Sequence, residues 1–189
     1  MKKSDLPLYL TLFRLVVSPF IFPFVLYFLL PANVYFMNIA LAILFLIIGF
    51  TDFLDGYLAR RWGLESGMGK MLDHIADKIL ISSTLIVLVA VKKLWFFWAI
   101  VLIVRELFVA GLRQVACESE RVIHVSWLGK CKTAVQIVCC AWIIANPHQN
   151  LALHATAWNY GELILLSTSV LFSWWSARSY YQVFVEGIK

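Results

Sequence analysis

The chain has 189 residues, 62% of them hydrophobic and 14% charged, with 16 Lys and Arg against 11 Asp and Glu for a formal net charge of +5. Soluble domains carry about 45–50% apolar and about 25% charged residues, so a soluble globular protein is excluded. The basic residues are scattered between apolar runs and form no patch or stripe, which excludes nucleic acid as the partner.

At about 20 apolar residues per bilayer crossing, six spans are predicted, at 10–30, 34–58, 70–91, 94–115, 127–146 and 152–180. The first follows Lys2 and Lys3, but Asp5, Pro7 and Arg14 interrupt its start and no small-residue cleavage site follows it; it reads as a retained helix and not a cleaved signal peptide. Pro31-Ala32-Asn33 ends it, the polar stretch Arg60 to Lys70 separates the second and third, and Val91-Lys92-Lys93 closes the third. The fourth carries Arg105, Glu106 and Arg113 and runs into a polar break from Cys117 to His124. The fifth begins with Lys130 and Lys132, holds Cys139 and Cys140 in an apolar run, and stops at Asn146 to Asn150. No CxxC spacing occurs, so neither a disulfide framework nor a metal knuckle is expected. The expected fold is an all-α integral membrane protein with six transmembrane helices in a single domain, 1–189.

Short-loop charge sets the orientation. With the N-terminus inside, one side collects Lys2, Lys3, Arg14, Arg60, Arg61, Lys70, Arg113, Arg121, Lys130, Lys132, Arg178 and Lys189, and the other only Lys92 and Lys93. Both termini are therefore expected in the cytoplasm. Asp52, Asp55, Asp73, Asp77, Arg105 and Glu106 all fall within a turn or two of that side, and ionisable groups at such depth are functional candidates.

The densest cluster is Asp52-Phe-Leu-Asp55-Gly56-Tyr-Leu-Ala59-Arg60, followed by Gly69, Asp73 and Asp77. At about 100° per residue, Asp52, Asp55, Gly56 and Ala59 share one stripe, and Gly69, Asp73 and Asp77 share another on the next helix. A short turn would make the two helices antiparallel neighbours and bring four carboxylates together. Such a set repels itself unless a cation compensates, and carboxylates with phosphate and water oxygens are the ligands Mg²⁺ or Mn²⁺ prefers. Small residues on the stripes let a ligand approach the backbones. A lone aspartate near a membrane end is commonly an interfacial charge, but eight specified positions match by chance only about once in 10¹⁰ windows.

These residues match D-x2-D-G-x2-A-R-x8-G-x3-D-x3-D without a mismatch, and the chain resembles the CDP-alcohol phosphotransferase family. Leu10-Thr11-Leu12-Phe13-Arg14, Val104-Arg105-Glu106 with Gly111-Leu112-Arg113, and Gly129-Lys130-Cys131-Lys132-Thr133 with Gln136 are similar to segments of its bacterial members that make phosphatidylglycerophosphate. The resemblance implies a six-helix membrane domain, a homodimer, and a site open to the cytoplasmic face. It implies that Asp52, Asp55 and Asp73 are metal ligands, that Asp77 is a ligand or the general base, and that Asp52, Asp55, Gly56, Ala59, Arg60 and Gly69 line the nucleotide site. It further implies transfer of a phosphatidyl group from CDP-diacylglycerol to sn-glycerol 3-phosphate. Arg105, Arg113, Lys130 and Lys132 are the candidates for the acceptor's phosphate, with Glu106 a partner for an arginine. Thr11 and Arg14 are candidates for contact with substrate or lipid phosphate. His74 and Leu8 depart from many bacterial relatives, which carry proline and asparagine there.

Alternatives stay open. A cardiolipin, phosphatidylinositol phosphate or phosphatidylserine synthase would share the signature acids. A divalent-cation transporter would use the carboxylates but leave Gly56, Ala59 and Arg60 without a role, and a structural scaffold would need none of the four aspartates.

Overall fold

A computed structural model of the chain describes residues 20–61, 67–118, 127–147 and 157–186, with side chains placed for 20–50, 78–112, 114–115, 131–147, 158–178 and 181. Among the described residues the regular structure is all helical, with no strand. Six α-helices follow in order: α1 Phe22–Leu29, α2 Tyr35–Arg61, α3 Gly67–Ala90, α4 Phe96–Glu118, α5 Trp127–Ala145 and α6 Ala157–Glu186. Each expected segment contains a helix; residues 10–19 of the first lie outside the described residues, and α4 runs on to Glu118, past the expected end at 115. Helices α2 and α3 extend into the polar stretch between them, because Arg, Lys and Met are good helix formers whatever their hydropathy. Helix α6 ends later than its apolar run, at Glu186, and residues 152–156 of that run lie outside the described residues. Over the described residues no helix is long and apolar enough to cross a membrane.

The helices cluster into two compact units. In the first, α1 and α2 both pack on α3, and the last residues of α5 belong with them. Phe22 stacks on Phe45 at 5.6 Å between ring centroids, and Leu26, Leu30, Leu80, Leu85 and Leu88 complete the buried core. Pro23 starts α1 where its missing N–H costs nothing, and Pro31 lies in the 3-10 turn Leu30–Ala32 that ends it. Asn33 then takes a left-handed φ of 51°, a conformation its short amide side chain tolerates. Its Nδ2 donates to the Pro147 carbonyl at 2.5 Å and its Oδ1 accepts from Asn38 Nδ2 at 3.1 Å.

The C-terminus of α3 is a Schellman cap: Lys93 N–H donates to Leu88 O at 2.9 Å and Lys92 N–H to Val89 O at 3.0 Å. Lys92 occupies the left-handed position at φ 59°, where glycine is usual because a Cβ is crowded. Lys92→Gly is expected to stabilise the protein by about 0.5–1 kcal/mol, relief of backbone strain exceeding the added freedom of the unfolded chain; thermal unfolding in detergent measures it. The neighbouring Lys93 turns inward. It is buried, and its Nζ donates to the carbonyls of Asn146 at 2.5 Å and Ile144 at 3.4 Å, meeting the end of α5 where a cation suits the helix dipole. These bonds gather the start of α2 and the ends of α3 and α5 at one end of the unit. The end of α2 and the start of α3 therefore lie at the other end.

The second unit comprises α4, the first part of α5, and α6. Helix α4 packs on α6, with Ala99, Leu102, Glu106 and Val109 buried at three- and four-residue steps along α4, and Val109 and Ala177 in one apolar cluster. Helix α6 is inside out by the standard of soluble proteins. Its buried positions are Asn159, Glu162, Leu166, Ser169, Ser173, Ser176 and Ala177, and its outward ones include Leu163, Ile164, Leu171, Trp174 and Trp175. Cys139 and Cys140 are both buried.

Candidate active site

The signature motif lies at one end of the first unit, on two uninterrupted helical segments. Helix α2 runs through Asp52, Asp55, Gly56, Ala59 and Arg60, and α3 runs through Gly69, Asp73, His74 and Asp77. The helical spacing assumed for both acidic stripes is thus the spacing of the backbone. The side chains of 51–77 lie outside the described residues. Among the described residues no group of three His, Cys, Asp or Glu could hold a metal ion. The donor set of the motif is four aspartates, all hard carboxylate oxygens, which fits Mg²⁺ or Mn²⁺ better than a softer ion.

In the second unit the structure builds a charged cluster from three helices. Arg105 and Glu106 are adjacent on α4, and Lys132 comes from α5; all three are buried, at 3%, 8% and 4% exposed. Arg105 Nη1 donates to Glu106 Oε1 at 3.0 Å, and Lys132 Nζ donates to the same oxygen. Arg105 Nε–H donates at 2.7 Å to the carbonyl of Ser173 on α6. The guanidinium plane is fixed on two edges, a geometry a lysine could not reproduce. Among the described side chains, two cations share one carboxylate in a poorly solvated setting. The pair of cations suits a phosphate, which Arg binds bidentately and Lys as a point charge.

Glu106 pairs with an arginine as expected, and it also pairs with Lys132, which sequence reasoning did not anticipate. The carbonyl of Ser173 was missed as well, for a backbone acceptor leaves no trace in residue type. Arg113 lies on the same continuous helix as Arg105, two turns on, and Lys130 is on the first turn of α5; the side chains of both lie outside the described residues, as do Thr11, Arg14 and Leu8 altogether.

Comparison with known proteins bears on both units. The family model for CDP-alcohol phosphatidyltransferase matches residues 5–175. The chain is 33% identical over 181 residues, 93% of its own length and 92% of the relative's, to the CDP-diacylglycerol--glycerol-3-phosphate 3-phosphatidyltransferase of Escherichia coli strain K12. The same identity and coverage hold for the proteins of that description from Shigella sonnei strain Ss046 and Shigella flexneri serotype 5b.

Proposed function

The chain belongs to the CDP-alcohol phosphatidyltransferase family, and from that premise we propose that it transfers the phosphatidyl group of CDP-diacylglycerol to sn-glycerol 3-phosphate, giving phosphatidylglycerophosphate and CMP. The observation that carries the acceptor assignment is the Arg105–Glu106–Lys132 cluster, in which a buried arginine and a buried lysine, the cations that bind phosphate, stand together. Family membership and the unbroken signature carry the donor assignment.

Asp52, Asp55 and Asp73 are the residues that would hold a divalent ion, with Asp77 a fourth donor or the base. Bound there, Mg²⁺ or Mn²⁺ would neutralise charge on the pyrophosphate and ease departure of CMP. Gly56, Ala59, Arg60 and Gly69, with Asp52 and Asp55, line the nucleotide, small residues giving close access to the backbone. Arg105 and Lys132 hold the acceptor's phosphate, joined by Arg113 and Lys130. Asp77 takes the proton of the acceptor's primary hydroxyl as its oxygen attacks the phosphorus carrying the lipid; the bond from that phosphorus to the CMP oxygen breaks.

The setting is a membrane. Helices α2 to α6, at 19 to 30 residues, run about 29–45 Å at 1.5 Å per residue, enough to match a hydrocarbon core of about 30 Å. Apolar side chains crowd the exterior, from Phe24, Phe28 and Phe36 to Leu171 and Trp175, while α6 turns its polar face inward, as expected where the surrounding solvent is lipid. Trp95, Phe96 and Phe97 form an exposed aromatic group, in keeping with an interfacial belt. The charge asymmetry sharpens as well. Of the two lysines assigned to the far side, Lys93 serves as a helix cap, leaving Lys92 exposed. Both termini and the signature end then face the cytoplasm, the chain forms a single multi-pass domain, and it works as a homodimer.

Purified in detergent with CDP-diacylglycerol, Mg²⁺ and radiolabelled sn-glycerol 3-phosphate, the protein is expected to move label into the lipid phase with release of CMP. Chelation should stop the transfer, and Mg²⁺ or Mn²⁺ should restore it. A folded preparation that moves no label would overturn the acceptor assignment. Inositol phosphate, serine and phosphatidylglycerol would then identify which other reaction of the family it performs.

A further inference from the structure

In the second unit, buried hydrogen-bonding capacity exceeds what the described protein groups satisfy. Gln136 on α5 is 1% exposed, and neither its Oε1 nor its Nε2 meets a partner. Ser173, whose carbonyl holds Arg105, is fully buried with a hydroxyl that likewise meets none. Buried polar groups are almost always hydrogen-bonded, and an amide left bare at both ends is costly enough to call for a water or a ligand.

Gln136 follows Lys132 by four residues on the continuous helix α5. Both side chains therefore leave one face, about 6 Å apart along the axis, a span of the same order as a three-carbon chain. Lys132 is bonded to Glu106 and through it to Arg105. The bare amide thus comes next along the helix face from the cations assigned to the acceptor's phosphate. A carboxamide offers a donor and an acceptor, and a hydroxyl is both at once.

We propose that Gln136 is a specificity-determining residue that binds the secondary hydroxyl of the acceptor, at C2 of sn-glycerol 3-phosphate, leaving the primary hydroxyl free to react. The inference rests on the acceptor assignment made above. A Gln136 of purely structural role predicts something different: an apolar side chain of similar size removes two unsatisfied groups, stabilises the protein and leaves selectivity alone.

The test compares the full-length wild type with Gln136→Leu and with Gln136→Met, which keeps the length of the side chain if leucine packs poorly. Each is assayed with sn-glycerol 3-phosphate and with 3-hydroxypropyl phosphate, which lacks only the C2 hydroxyl, and each is followed by thermal unfolding. The wild type is expected to favour sn-glycerol 3-phosphate by at least about 100-fold in kcat/KM, since a site built around a hydroxyl rejects the analogue without it. In a variant that melts no lower than wild type, the preference should fall below about tenfold, through loss on sn-glycerol 3-phosphate alone. The KM for CDP-diacylglycerol should stay within about twofold. Retained preference in a folded variant, or equal loss on both acceptors, would overturn the role of Gln136. A wild type that is active with neither acceptor but active with another alcohol would overturn the acceptor assignment instead.

Discussion

Asp77→Asn is expected to lower label transfer from sn-glycerol 3-phosphate by at least about 1,000-fold while the protein still purifies folded. Asparagine keeps the shape of the side chain but can neither take a proton nor offer a charged oxygen. A general base alone contributes about 10²- to 10⁴-fold, and loss of an anionic donor adds to it. The unbroken course of α3 through Asp73 and Asp77, and of α2 through Asp52 and Asp55, puts each pair of acids on one helical stripe. Removing one of four like charges also relieves repulsion when no cation is bound. In the presence of chelator the variant should therefore melt at or above the wild-type temperature. The paired measurement is transfer rate and melting temperature. A variant that keeps more than about a tenth of wild-type activity would remove Asp77 from the mechanism, and the same outcome for all four aspartates would favour a scaffold over an enzyme.

Glu106→Ala is expected to destabilise the protein by about 3–5 kcal/mol, the usual consequence of stranding buried charge. Glu106 is the acceptor for both Arg105 and Lys132, whose side chains are 3% and 5% exposed. Without it two buried cations lose the carboxylate they share. A dianion that binds there then does part of the work of the missing carboxylate. Inorganic phosphate should raise the melting temperature of the variant more than that of the wild type, by the linkage between binding and folding. Denaturation in detergent with and without phosphate reads both effects. Wild-type stability in Glu106→Ala, or a phosphate response in neither protein, would show that these cations are a structural pair and not an anion site.

The helices and their order were legible in the sequence because apolar runs of 20 or more residues have few alternatives to helix. The signature was legible because it is local: each of its two acidic groups spans fewer than ten residues of one helix, so spacing alone places the acids on a stripe. Lys93 shows where such reasoning stops. By position it was a loop charge marking one face of a membrane, yet it is a buried cap on the end of α5, bonded to carbonyls more than 50 positions away. Glu106 is a similar case. That it would meet an arginine was readable from its neighbour, whereas its bond to Lys132, 26 residues on, depends on how α4 and α5 approach one another. In α6 the three- and four-residue spacing of Asn159, Glu162, Leu166, Ser169, Ser173 and Ser176 was present in the sequence, but its direction was not.

The sequence by itself determined the all-helical class, the membrane-like composition and the family, since each depends on residue type and on spacing within single helices. Tertiary structure alone decided that α6 buries its polar face and that Arg105, Glu106 and Lys132 form one buried cluster. It also decided that Gln136 is enclosed with its amide unspent. These features arise from contacts between helices, and no periodicity within one helix encodes the identity of its neighbour.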